Sequence, residues 1–128
     1  MRNMKKVFDA GVPIVMGTDS GAPSGRFQGY FEHVELEYMV KAGMSPMQTL
    51  VASTSNVAKF LHQPDLGVIE PGKWADLLVL DANPLDDIKN TRKIDSVSMA
   101  GIAYRKTRSQ KLWLLSALSE RHTFSCTL

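Results

Sequence analysis

The sequence has few of the residues that form disulfides and metal centres. Its 128 residues include one cysteine, Cys126, and three histidines. A single cysteine excludes an internal disulfide and is typical of a reducing compartment, so we expect a cytoplasmic protein. No His-x-His pair occurs, and a catalytic zinc site needs about three protein ligands. The histidines by themselves therefore do not predict a complete zinc centre.

The chain also lacks a strong charge and a long apolar run. Fifteen basic and thirteen acidic residues leave a formal charge of +2, which is too small to indicate a nucleic-acid partner. No apolar stretch reaches membrane-spanning length, and the charged amino terminus is unlike a secretion signal. We expect no membrane association. A composition with 44% hydrophobic and 22% charged residues is typical of a folded domain with a core.

The most informative stretch is residues 11–21, with the sequence Gly-Val-Pro-Ile-Val-Met-Gly-Thr-Asp-Ser-Gly. The apolar run at 12–16 predicts a buried strand, and Asp19 follows it after Gly17 and Thr18. A carboxylate just beyond a buried strand is where α/β barrels and open α/β sheets place catalytic bases and metal ligands. We expect Asp19 to point into such a pocket, although an aspartate that only caps the turn fits this segment equally well.

Alternating helices and strands are predicted along the rest of the chain. Apolar spacing predicts helices over 2–10, 31–42 and 45–61, and Ser45 with Gln48 forms a capping-box pattern at the start of the third. A glycine-rich loop covers 20–30, and 83–87 is a loop or one helical turn. Strands are expected at 66–69, 75–81, 95–100 and 102–105, with turns at 70–73 and 100–101.

Four motifs carry a family resemblance because of their order. They are Gly-Thr-Asp-Ser at 17–20, Met-Val-Lys-Ala-Gly-Met-Ser-Pro at 39–46, Ala-Ser-Thr through Ala at 52–58, and Gly-Val-Ile-Glu-Pro-Gly-Lys-Trp-Ala-Asp-Leu at 67–77. Together they resemble the carboxyl-terminal part of the amidohydrolase superfamily, in particular its imidazolonepropionase and Xaa-Pro-dipeptidase-like branch. The resemblance extends from about Met1 to Lys106.

The resemblance implies an α/β fold. Residues 1–64 would be the last strand and helices of a (β/α)8 metallo-hydrolase barrel, and residues 65–106 would be strands of a small β-sandwich. Residues 107–128 form a divergent tail, in which 110–118 could be a short apolar helix. The turn at 71–76, including Asp76, is expected to be structural because Pro-Gly turn chemistry explains it.

The resemblance also implies a chemistry and a site. Family members hydrolyse C–N bonds of amides, cyclic amides or dipeptides, with a divalent metal that lowers the pKa of bound water. Asp19 would bind that metal, expected to be zinc and to be held only with the rest of the barrel, and would carry the proton. Ser20, which could hydrogen-bond Asp19, and Gly21 and His33 would contact the small-molecule substrate.

The histidines also have structural interpretations. His33 fits an ordinary surface helix, because Glu32, Glu35 and Glu37 surround it with exposed charge. His62 follows the predicted end of a helix, where it would interact with the helix dipole rather than bind a metal. His122 lies in the tail and is expected to be solvated.

Two functions remain open because most family ligands are missing from the sequence. In the first, the chain is the carboxyl-terminal portion of a metal-dependent amidohydrolase and is inactive alone. In the second, it is a truncated, non-catalytic remnant that serves as a binding or assembly module. An incomplete barrel exposes strand edges, so we expect self-association or a complementary amino-terminal fragment. A serine hydrolase using Ser20 or Ser24 is disfavoured because no Gly-x-Ser-x-Gly elbow occurs.

Overall fold

The computed structural model describes residues 2–21, 25 and 27–105 of the chain. The predicted tail 107–128, with its helix and His122, lies outside the described residues, as do Cys126 and Ser24. The described elements, in chain order, are α1 (Arg2–Asp9), α2 (Phe31–Lys41), α3 (Pro46–Ser53), α4 (Ser55–Phe60), β1 (Leu77–Leu80), a 3₁₀ helix (Ile88–Arg92), β2 (Ile94–Met99) and β3 (Ile102–Arg105). None of the helices in this part of the chain is long and apolar enough to cross a membrane.

The helical half is built around a small core of methionines. Met39, Met44 and Ala52 are buried together, and apolar side chains from α1 and from the 12–16 segment pack against them, namely Met4, Phe8, Ile14 and Met16. The helices predicted at 2–10 and 31–42 are confirmed as α1 and α2. This core is what fixes the segment that leads to Asp19.

The strand predicted at 12–16 is not formed. The segment runs without regular structure and is held by the helices instead: the Met16 amide donates to the Ala52 carbonyl (3.1 Å), and the Asn56 side chain donates to the Ile14 carbonyl (3.0 Å). A strand needs a neighbouring strand to complete its hydrogen bonds. The described residues place no strand beside this segment. The apolar pattern alone was therefore not enough to predict a strand here.

The helix predicted over 45–61 is present but divided. Ser45 and Gln48 form both bonds of the predicted capping box, and α3 begins at Pro46. The helix breaks at Thr54, where the Ser53 and Thr54 hydroxyls both donate to the Leu50 carbonyl (2.9 and 2.7 Å). Such local side-chain bonds compete with the helical backbone ladder.

The strands form one antiparallel sheet in the order β1-β2-β3. The predicted turn at 100–101 is confirmed: Ala100 and Gly101 both have positive φ (51° and 81°), which is the geometry of a type I′ hairpin turn. Asp76 accepts the Ala100 amide at 2.7 Å, in line with its predicted structural role. The strand expected at 66–69 is not formed, because this segment packs as a loop against the junction of α3 and α4.

One face of the sheet is apolar and open to solvent. The register aligns Leu78, Val97 and Tyr104 across the three strands, and Met99 opposite Ile102 beside them. Leu78 and Ile102 are 45% and 61% exposed. We call these five residues the exposed sheet face. Soluble proteins seldom leave a continuous apolar face of this kind uncovered.

Candidate functional site

The turn at residues 17–21 presents Asp19 in a left-handed conformation. Asp19 has φ +56°, and its side chain is exposed. Aspartate tolerates this region better than most residues, yet a non-glycine residue held there costs on the order of 1–3 kcal/mol. The surrounding contacts must therefore stabilise the turn.

Asp19 is exposed, and the pocket that the sequence analysis expects beside it stays a prediction. A groove of about 690 Å³ lies elsewhere: α4 and residues 62–70 line it, including Lys59, His62 and Glu70. None of its lining residues belongs to the 17–21 turn.

Ser20 and Gly21 shape the turn from its carboxyl side. The Ser20 hydroxyl lies 2.7 Å from the Thr18 hydroxyl, and the Ser20 amide donates to that same Thr18 oxygen at 3.2 Å. In the described residues Ser20 is thus paired with Thr18 rather than with Asp19. Gly21 has φ +89°, and a Cβ there would lie 2.5 Å from the Gln28 side-chain nitrogen. Glycine lets Gln28 approach the turn closely.

Glu32 contacts this turn, which the sequence analysis missed. Its Oε1 accepts a hydrogen bond from the Thr18 hydroxyl at 3.3 Å. Its Oε2 is buried and has no hydrogen-bond partner among the described residues. The sequence pattern indicates that Glu32 is one of several exposed charges around His33. The structure shows that it is partly buried and contacts the turn instead. Its position in the first turn of α2, directly after the glycine-rich loop, was the available signal.

His33 faces the 3₁₀ helix. Its Nδ1 lies 2.9 Å from the Thr91 hydroxyl, which donates its own hydrogen to the Ile88 carbonyl at 2.8 Å. A hydroxyl has one hydrogen, so we assign the donor in the first bond to His33 Nδ1–H. Neutral His33 then keeps its Nε2 lone pair as an acceptor, and a contact between that atom and substrate stays a prediction.

Electrostatics favour the neutral form of His33. Partial burial, followed by the positive charge of Arg92, lowers the pKa of His33 below its ordinary value of 6.5, and Glu32 and Glu37 offset this only in part. Arg92 donates through two nitrogens to Glu37 Oε1, at 2.9 and 2.7 Å. Its guanidinium also lies 4.8 Å from the centre of the Tyr30 ring. These contacts join α2 to the 3₁₀ helix.

The described residues do not form a complete metal centre. They contain no group of three or more histidine, cysteine, aspartate or glutamate side chains placed to hold a cation. His62 lies at φ +55° after α4, in the groove and outside the Asp19 turn. Asp19 alone falls short of the three protein ligands that a catalytic zinc requires.

A comparison with known families identifies the fold. The family model described as "Amidohydrolase family" matches residues 1–103. This chain belongs to the amidohydrolase family. The resemblance read from the four motifs is confirmed, including its branch, because imidazolonepropionases are among the relatives. The imidazolonepropionase of Cutibacterium acnes is 36% identical over 78 residues, and the ochratoxinase of Aspergillus niger is 37% identical over 83 residues.

Solved amidohydrolase structures share the fold of the described chain. A Xaa-Pro dipeptidase with bound methionine matches 81% of this chain with a TM-score of 0.72 and 35% identity. A putative prolidase from Bifidobacterium longum matches 91% of it with a TM-score of 0.73 and 36% identity. The α/β character with a three-stranded antiparallel sheet is thus that of one part of these larger amidohydrolases.

The chain corresponds to a minor part of each relative. The matches cover 61% and 62% of this amidohydrolase chain but only 19% of the imidazolonepropionase and 16% of the ochratoxinase. They cover 25% of the Xaa-Pro dipeptidase chain and 28% of the prolidase chain. The chain thus spans less than a third of the length of each of these relatives.

Proposed function

We propose that this chain is the carboxyl-terminal part of a hydrolase that cleaves C–N bonds. Residues 1–64 would be the last portion of a (β/α)8 barrel, residues 65–106 part of the adjoining β-sandwich, and residues 107–128 a divergent tail. The observation that carries the proposal is the left-handed turn at Asp19, which lies within a fold shared with a Xaa-Pro dipeptidase. The substrates that fit are small amides, cyclic amides or dipeptides.

Asp19 is the residue that acts on the reacting atoms in this proposal. Its carboxylate accepts a proton from the attacking water and returns it to the leaving nitrogen. Exposure suits this role, because an exposed carboxylate is accessible to a substrate or a further ligand. Ser20, Gly21 and His33 are proposed to contact the substrate.

The divalent metal that the family generally uses does not fit the described residues by themselves. Asp19 would supply one ligand, and the remaining ligands would come from residues outside those described. The isolated chain is accordingly proposed to be inactive and to function in the cytoplasm with a complementary fragment or a second copy.

A domain-replacement experiment tests the proposal. Residues 2–105 are substituted for the matching quarter of the Xaa-Pro dipeptidase, and hydrolysis of a Xaa-Pro dipeptide is measured for the chimera and for the isolated chain. We expect turnover by the chimera and none by the isolated chain. A folded chimera with no turnover would contradict the proposal and favour a non-catalytic module.

A further inference from the structure

Glu32 connects α2 to the turn that carries Asp19. A carboxylate only accepts hydrogen bonds, so the Thr18 hydroxyl donates to Glu32 Oε1 across 3.3 Å. The Thr18 oxygen then accepts from the Ser20 amide at 3.2 Å and lies 2.7 Å from the Ser20 hydroxyl. The residues on both sides of Asp19 are thus joined to each other, and Glu32 holds the joined pair.

Both ends of this chain of contacts carry an energetic cost. Asp19 occupies the left-handed region, which persists only where surrounding contacts enforce it. Glu32 Oε2 is buried without a donor among the described residues, and burying an acceptor without a hydrogen bond is unfavourable. A half-buried glutamate with one oxygen unpaired contributes little to stability in its own right. What Glu32 contributes is its hydrogen bond with the Thr18 hydroxyl.

We propose that Glu32 is a positioning residue for Asp19. Its carboxylate orients the Thr18 hydroxyl, Thr18 fixes Ser20, and the Asp19 carboxylate is thereby held in one direction. The catalytic meaning of this arrangement rests on the proposed function. The effect of Glu32 on the conformation of the Asp19 turn is a property of this chain, and it can be measured without metal, substrate or turnover. Failure of the hydrolase proposal therefore leaves its test intact.

The test is NMR spectroscopy of the full 128-residue chain with Glu32→Ala. The Ser20 amide is expected to exchange with solvent up to about tenfold faster, as loss of one hydrogen bond predicts. The Cα and Cβ shifts of Asp19 are expected to lose their left-handed signature. Glu32→Gln retains an acceptor oxygen for Thr18 and should restore both signals. Glu35→Ala, one turn further along α2, is the matched control and should change neither.

Unchanged Ser20 exchange and Asp19 shifts in a folded Glu32→Ala chain would overturn the proposal. So would a Gln variant that behaves like the Ala variant, because rescue requires only the acceptor. If Glu32→Ala does not fold, Thr18→Val and Thr18→Ser make the same test from the other side of the contact. Thr18→Val should show faster Ser20 amide exchange and loss of the left-handed Asp19 shifts, whereas Thr18→Ser should keep both signals. Equal spectra for the two variants would also refute the positioning role of Glu32.

Discussion

At the scale of single residues, Gly67 explains why the Gly-Val-Ile-Glu-Pro-Gly motif is structural. It has φ +82°, and a Cβ there would lie 2.8 Å from the Thr54 carbonyl oxygen and 2.9 Å from the Ala58 Cβ. The 66–69 loop packs this closely because α3 and α4 are broken at Thr54. The motif thus packs the loop against the helices, and Gly67 has a structural role there rather than a catalytic one.

Gly67→Ala is therefore expected to be costly. Left-handed strain of about 1 kcal/mol adds to overpacking of about 1–3 kcal/mol in the free energy of unfolding, measured with urea. Gly72→Ala is the control, because Gly72 has φ +86° but no atom within 4 Å of the added Cβ. The free energy of unfolding of Gly72→Ala should fall only by the cost of left-handed strain. Equal losses for the two variants would show that the contact with Thr54 is unimportant.

At the scale of elements, local signals predicted the helices and the hairpin. The capping box at Ser45 depends on neighbouring residues only, and the turn at Ala100 and Gly101 follows from its own backbone conformation with added support from Asp76, so the sequence contains most of what they need. The strand expected at 12–16 depends on partners, and the sequence pattern cannot supply them. The same distinction holds at the site. The position of Asp19 in a turn was predictable, whereas the hydrogen bond between Thr18 and Glu32, which are 14 residues apart in the sequence, was not.

The junction between α2 and the 3₁₀ helix should depend on pH through His33. Because burial and Arg92 lower its pKa in the folded state, the unfolded chain takes up this proton more readily than the folded one. The contribution of His33 is fully present above about pH 6.5 and is lost as the pH falls from there through its folded-state pKa. Urea unfolding of the full chain between pH 7.5 and about 5 measures this loss.

His33→Asn separates this effect from other titrations. The asparagine amide can still donate to Thr91 but has no proton to gain, so the loss of stability below about pH 6.5 should shrink. His62→Gln, at an exposed position, should keep the wild-type slope. Glu32, Glu37 and Arg92, the charged groups around His33, are unchanged in both variants. A His33→Asn chain with the wild-type slope would contradict the assignment.

At the scale of the whole molecule, the exposed sheet face predicts association. Ile102, at 61% exposure, lies on that face in β3, which is an edge strand of the sheet. Ile102→Lys places a charge there and is expected to weaken self-association at least about tenfold in sedimentation velocity, as loss of one large apolar contact predicts. Ile69→Lys is the control, because Ile69 is 87% exposed but lies outside the sheet. Equal effects of both variants, or a monomeric wild type, would count against this face.

The most direct test of the account is turnover of the dipeptidase chimera before and after Asp19→Asn. Loss of a proton-transferring carboxylate is expected to lower kcat by about 10²–10⁴-fold. Asp65→Asn, an exposed aspartate on the loop beside the groove, should leave kcat within twofold, a margin of roughly 0.4 kcal/mol. A folded chimera that hydrolyses the dipeptide equally well with aspartate or asparagine at position 19 would contradict the central claim.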